Sequence, residues 1–118
     1  MRVLLDTGVL IVAATAGLHA LSPRARKILS DEKSERLLST ISITEMFVKA
    51  NIGKLEINDR TIMTAVSDMK LNVLPYTAAH AFRLFDLPLH HREPFDRMLI
   101  ATALAEKSWI ANSGLQPD

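Results

Sequence analysis

Three acidic residues stand where a carboxylate can do chemistry: Asp6, Glu45 and Asp96. Asp6 closes the apolar run Arg2-Val3-Leu4-Leu5. Glu45 lies in Ile-Ser-Ile-Thr-Glu-Met-Phe-Val, with apolar residues on both sides. Asp96 lies in Pro-Phe-Asp-Arg-Met-Leu-Ile-Ala, near the start of an otherwise apolar segment. Carboxylate oxygens suit Mg²⁺ and Mn²⁺, which take few protein ligands and keep several waters. Converging carboxylates repel one another unless a cation joins them. Water on such a cation is acidified and can attack a phosphodiester, and the cation offsets charge on the phosphate. Each acid also has a plain alternative role. Asp6 suits a helix N-cap, Glu45 a solvated helix face, and Asp96 the positive end of a helix dipole or a partner for Arg97. Gly8 lets the backbone come close to a bound group in either case.

These acids need elements to position them. Residues 2–5 read as a buried strand ending at Asp6. Thr7-Gly8 is read as a turn, followed by a helix from Val9 to Ala16 that Gly17 stops. Ser22 caps the next helix and Pro23 opens it, with Ala25, Ile28 and Leu29 inward and Arg24, Arg26, Lys27 and Lys33 outward. Arg36–Ser39 is a second strand. Ser42 or Thr44 is the expected cap of the helix that carries Glu45. Asn51–Lys54 breaks that helix, and Asn58-Asp59 starts another with Ile62, Met63, Val66 and Met69 at helical spacing. Leu71–Leu74 is a third strand, and Thr77 caps a helix through Ala78, Ala81, Phe82 and Phe85. After a loop over Leu87–Glu93, Pro94 opens the last helix, and Ser108–Ala111 forms the last strand. Strands that alternate with helices predict an α/β domain whose central parallel sheet is covered on both faces. In such sheets the ligand site lies off the carboxyl ends of the strands, where Asp6 falls.

The whole chain narrows the chemistry. Its 118 residues fit one domain, 1–118, and 48% hydrophobic residues suffice for a buried core. Aromatics at 5% make a stacking platform for single-stranded nucleic acid improbable. No cysteine is present, which excludes disulfides, thiolate metal sites and cysteine nucleophiles. Asp6 interrupts the apolar run that a signal peptide needs, and Val9–Ala14 is far short of a membrane span. These features predict a soluble cytoplasmic protein with no membrane association. A net charge of +1 excludes nucleic-acid binding by bulk charge, so attraction to RNA would be local.

Other polar residues carry less. Adjacent residues such as His90 and His91 seldom converge on one metal. Glu93 falls at the rim of the acid site. Arg92 and Arg97 flank it and could meet phosphate; Lys49 and Lys54 fit either a basic rim or a solvated helix face. His19 and His80 read as isolated. Met46, Met63 and Met69 read as core filling, and Trp109 as packing.

In order, the acids fall at the end of the first strand, early in a mid-chain helix, and at the start of the last helix. Here the sequence resembles the PIN-domain family, and within it the VapC-type toxins. The segments that carry this are Val-Leu-Leu-Asp-Thr-Gly-Val-Leu-Ile, Ser-Ile-Thr-Glu-Met-Phe-Val-Lys-Ala-Asn-Ile-Gly-Lys-Leu, and His-Arg-Glu-Pro-Phe-Asp-Arg-Met-Leu-Ile-Ala-Thr-Ala-Leu-Ala-Glu. The last is the most specific. The resemblance runs to about Ala111. It implies a PIN-like three-layer α/β/α sandwich and Mg²⁺- or Mn²⁺-dependent endonucleolytic cleavage of RNA. It further implies Asp6, Glu45 and Asp96 as metal ligands and catalytic residues, and inhibition by a cognate antitoxin.

The family commonly places a fourth acid after the last strand. Here that stretch reads Ala111-Asn112-Ser113-Gly114-Leu115, and the C-terminus at Asp118 reads as shortened. The alternative therefore stays open of a weakened or inactive PIN-fold module that still binds an antitoxin. An apolar helical surface around Phe47, Ile52, Ile62 and Val66 is the expected contact for a homodimer or an antitoxin helix.

Overall fold

The computed structural model describes residues 1–88 and 93–111. The expectations for His90, His91, Arg92 and the stretch 112–118 lie outside the described residues. In the first strand, β1 (Arg2–Leu5), Val3, Leu4 and Leu5 are all buried. Successive side chains of a strand point to opposite faces, so burial of all three requires cover on both. β1 is accordingly central. It pairs in parallel with β2 (Glu35–Ser39) on one side and with β4 (Trp109–Ala111) on the other. β2 also pairs in parallel with β3 (Asn72–Leu74), giving the order β3-β2-β1-β4.

Six helices accompany the described strands: α1 (Thr7–Ala16), α2 (Pro23–Ser30), α3 (Thr40–Asn51), α4 (Asp59–Asp68), α5 (Ala78–Phe82) and α6 (Pro94–Glu106). The alternation along the strands sorts the core into two layers. Val3, Leu5 and Leu38 pack with Val9 and Leu10 of α1, Leu29 of α2, Met46 of α3 and Ile62 of α4. Leu4 and Leu37 pack on the other face with Ile41, Leu99 and Ala103. This is the expected α/β/α sandwich around a parallel sheet. Helix α3 leaves β2 without a loop and places Ile41 in one layer and Met46 in the other. It therefore stands at the carboxyl end of the sheet against both α1 and α6.

Local chemistry explains most boundaries. Ser22, Asn58 and Thr77 each accept a backbone N–H three residues on, at 3.2, 2.9 and 3.3 Å, and start α2, α4 and α5 as expected. Gly17 ends α1 at φ 90°, where a Cβ would meet the His19 ring at 2.9 Å. Two expectations are corrected. Thr7 and Gly8 are the first turn of α1, because Asp6 is already in the extended N-cap conformation. The cap of α3 is Ser39, whose hydroxyl accepts the Ile41 N–H at 3.0 Å; Ser42 and Thr44 lie inside the helix.

The apolar surface is also redistributed. Ile62 is buried, and Phe47 and Val66 pack against the core, so of the expected contact residues only Ile52 is exposed. Met63 and Trp109 are exposed too, as are Phe82 and, at 94%, Phe85. α5 lasts five residues before tightening into a 3₁₀ turn over Arg83–Asp86, so helical spacing no longer holds Phe85 on the inner face. Trp109 lies on β4, an edge strand among the described residues.

His80 is not isolated. It is buried, its Nδ1 accepts the Thr77 N–H at 3.1 Å, and its Nε2 lies 2.7 Å from Glu106 Oε2. An Nδ1 that accepts carries no proton, so Nε2 bears the hydrogen and donates to Glu106. Arg2 joins from the start of β1: its guanidinium binds Glu106 Oε1 and Glu35 Oε2, each at 3.1 Å, and the Glu106 carbonyl. The hydrogen bond from His80, and then that from Arg2, hold the Glu106 carboxyl below its usual range. A depressed carboxyl contributes stability that is complete above its unfolded value of about 4.3 and is lost as pH falls through the folded value. Glu106→Gln is therefore expected to flatten the acid limb of the stability curve below about pH 4.3. Urea unfolding at stepped pH checks this; an acid limb as steep as the parent's would show that Glu106 does not produce it.

Candidate metal centre at the carboxyl end of the sheet

Strands β2 and β3 lie on one side of β1 and β4 on the other, so the chain reverses direction across the sheet between β1 and β4. A crevice forms at such a switch point, off the carboxyl ends of the strands. Asp6 sits there. Its backbone N–H donates to the carbonyl of Ala111, the last residue of β4, at 2.8 Å. It occupies the N-cap position of α1, yet its side chain makes no capping hydrogen bond. The plain capping role is thus not what this carboxylate performs. Gly8 is not sterically required, since a Cβ there would meet Asp6 Oδ2 at an ordinary 3.6 Å.

The next residue ties this corner to α3. Thr7 Oγ1 donates to Ser42 Oγ at 2.9 Å, and both side chains are buried. Ser42 and Glu45 are three residues apart, hence neighbours on one helix face. The bond fixes the position of Glu45's helix relative to Asp6's. Sequence reasoning assigned Ser42 to capping and missed this contact. The available signal was two hydroxyl residues, Thr7 next to Asp6 and Ser42 one helical turn before Glu45.

Glu45 is buried, 4% exposed, which rules out a solvated helix face. Its Oε2 accepts from Lys49 Nζ at 2.8 Å, while its Oε1 is buried without a hydrogen-bond partner. A carboxylate has acceptor capacity on both oxygens, and leaving one unmet in the interior is costly. Asp96 is exposed in the first turn of α6, whose N-terminus favours negative charge. Its charge reaches Lys49: the Glu45 hydrogen bond first, and the charges of Glu45, Glu93 and Asp96 after it, raise the Lys49 ammonium's pKa despite partial burial. Lys49 is therefore on the acid cluster rather than a solvated helix face. Arg97 donates to the carbonyls of Pro88 at 2.8 Å and Leu84 at 3.5 Å, which ties α6 to the 3₁₀ turn after α5 and its exit.

Glu45 thus contacts the Lys49 ammonium directly, and Glu93 and Asp96 act on it by charge alone. Among the described residues, no three His, Cys, Asp or Glu side chains stand close enough to clasp one ion. The donor chemistry nevertheless fits a hard divalent cation. The ligating atoms on offer are carboxylate oxygens, and the orphaned Glu45 Oε1 is the kind of buried acceptor that such a cation satisfies.

The model of the PIN domain family matches residues 3–113 of the chain. No curated protein matches it significantly. Among solved structures, the fold is similar to a chain in the crystal structure of VapBC2 from Rickettsia felis bound to a DNA fragment from their promoter. That match has a TM-score of 0.67 at 14% sequence identity, and covers 93% of this chain and 86% of the other.

Proposed function

This chain belongs to the PIN-domain family, and we propose that it is a divalent-metal-dependent endoribonuclease, the toxin of a toxin–antitoxin pair. Asp6, Glu45 and Asp96 hold Mg²⁺ or Mn²⁺ and carry the reaction. The observation that supports this most is the buried Glu45, whose Oε1 is unmet while its Oε2 accepts from Lys49. When bound, the ion acidifies a coordinated water and offsets the charge that builds on the phosphate. The chain's own groups do the rest. Asp6 approaches from the switch point between β1 and β4. Glu45 comes from a helix locked to that corner by Thr7 and Ser42. Asp96 comes from the first turn of α6, still wet enough for substrate to reach.

The Rickettsia felis relative is a toxin–antitoxin complex, which supports an antitoxin as partner here. The same reading includes a homodimer and a cytoplasmic location. No helix among the described residues is long and apolar enough to cross a membrane. Ile52, Met63, Phe82, Phe85 and Trp109 are among the exposed apolar side chains that a partner could cover. A second reading, a silent module that only binds an antitoxin, draws on one specific feature: residues 112–117 contain no acid.

Incubation of purified protein with structured RNA in Mg²⁺, Mn²⁺ or EDTA separates the two. The nuclease cuts internal phosphodiesters with either metal and not in EDTA. Intact RNA in all three, or cutting that persists in EDTA, would sink the metal-nuclease reading; the intact result favours the silent module.

A further inference from the structure

Lys49 is drawn onto the buried Glu45 by a direct contact, and the reaction proposed for the acids gives it no task. Its ammonium lies 2.8 Å from Glu45 Oε2. The two ends of this pair differ. The Glu45 side chain is 6% exposed and the Lys49 side chain 43%. The acid is fixed in the interior of α3, while the lysine stands at the rim on a flexible four-carbon stem. If one member moves, it is the lysine.

An ordinary surface pair at this helical spacing contributes little and needs no further explanation. Glu45 departs from that case in two ways. It is buried, and Lys49 meets only one of its oxygens, leaving Oε1 without a partner. A buried carboxylate kept only for a structural ion pair needs its remaining acceptors satisfied, or the loss of hydration outweighs the attraction. Here half of the carboxylate is unmet, and Glu93 and Asp96 add negative charge around the same ammonium. Lys49 alone therefore leaves Glu45 incompletely satisfied.

We propose that Lys49 is a resident counter-ion, which holds Glu45 charged and oriented when no divalent ion is bound and withdraws from Oε2 when one binds, so that it sets the metal affinity of the site. This rests on the reading of Asp6, Glu45 and Asp96 as metal ligands. Lys49 is a positioning residue that acts through Glu45. Its ammonium and the incoming ion compete for the same oxygen, so removal of the ammonium strengthens metal binding.

The test is calorimetric titration of the purified chain with Mn²⁺ at pH 8, without RNA, on the parent, Lys49→Met and Lys49→Arg. Loss of the competing charge in Lys49→Met is expected to tighten Mn²⁺ binding by roughly tenfold, equivalent to ~1.4 kcal/mol. Lys49→Arg keeps a cation at the rim and is expected to stay near the parent. General damage to the fold weakens binding, so a gain is not what a merely structural lysine predicts. Unchanged or weaker binding by Lys49→Met overturns the proposal. A second measurement uses the parent alone. Acylation with an amine-reactive reagent, read by peptide mass spectrometry, is expected to modify Lys49 faster with Mn²⁺ than without, while exposed Lys27 on α2 keeps its rate; an unchanged Lys49 rate overturns the proposal even if Lys49→Met fails to fold. A parent that binds no Mn²⁺ and cuts no RNA removes the metal site itself. A parent that binds Mn²⁺ with Lys49→Met unaltered removes the counter-ion alone.

Discussion

Glu45→Gln is expected to lower metal-dependent RNA cleavage by at least about a hundredfold, the scale on which loss of one transition-state-stabilising group is felt. The metal-free chain is expected to keep its melting temperature within a few degrees. The reasoning follows from what surrounds the side chain. Glutamine keeps the shape that the interior of α3 accommodates, so no cavity opens. It removes a buried charge of which one oxygen is unmet, and it releases Lys49, which is exposed enough to be solvated. Stability therefore has little to lose. Metal binding has much to lose, because a neutral amide oxygen is a poorer ligand for a hard divalent cation than a carboxylate. The opposite pattern is equally definite. Were Glu45 present only to pair with Lys49, the variant would lose stability and keep its cleavage rate. Steady-state cleavage of one RNA, beside thermal melts in EDTA, distinguishes these outcomes.

The largest stability effect is expected far from the acids. His80→Ala should destabilise the chain by about 3 kcal/mol, within the range that truncation of a large buried side chain costs. Three losses combine. The imidazole leaves a cavity in a fully packed position. The Thr77 N–H loses its acceptor, which undoes one half of the capping box that starts α5. Glu106 keeps Arg2 but loses the donor on its other oxygen. Because Arg2 opens β1, Glu106 ends α6 and His80 lies in α5, the network ties three separate elements together. Urea denaturation at neutral pH measures the change; a loss below about 1 kcal/mol would show that the network is mostly solvated in solution.

The acids were legible as candidates because each sits at a boundary that local sequence defines: a strand end, a helix after a hydroxyl-rich start, a Pro-opened helix. The same local rules fixed the alternation of elements and three of the caps. What the sequence leaves open lies in tertiary contacts. Glu45 reads as solvated because charged residues usually are, and only the packing of α3 against both layers buries it. Ser39 and Ser42 both precede an apolar helical run; which one caps depends on where β2 stops. His80 appears alone because its partner, Glu106, is 26 residues away. Phe85 follows helical spacing in the sequence, but α5 tightens into a 3₁₀ turn at Arg83 before that spacing can orient it. Lys49 is the instructive intermediate. Its distance of four residues from Glu45 was visible, and its meaning was not until the burial of the acid was known.

The bond from Asp6 N–H to the Ala111 carbonyl, together with the register of Val3 against Trp109, joins residues more than a hundred positions apart. Contacts of such separation close late, since the intervening chain must first be ordered. The corner that holds Asp6 thus remains unfinished while the chain is being made. Until the strand at 109–111 docks, β1 is an edge strand and the crevice beside Asp6 is incomplete on that side.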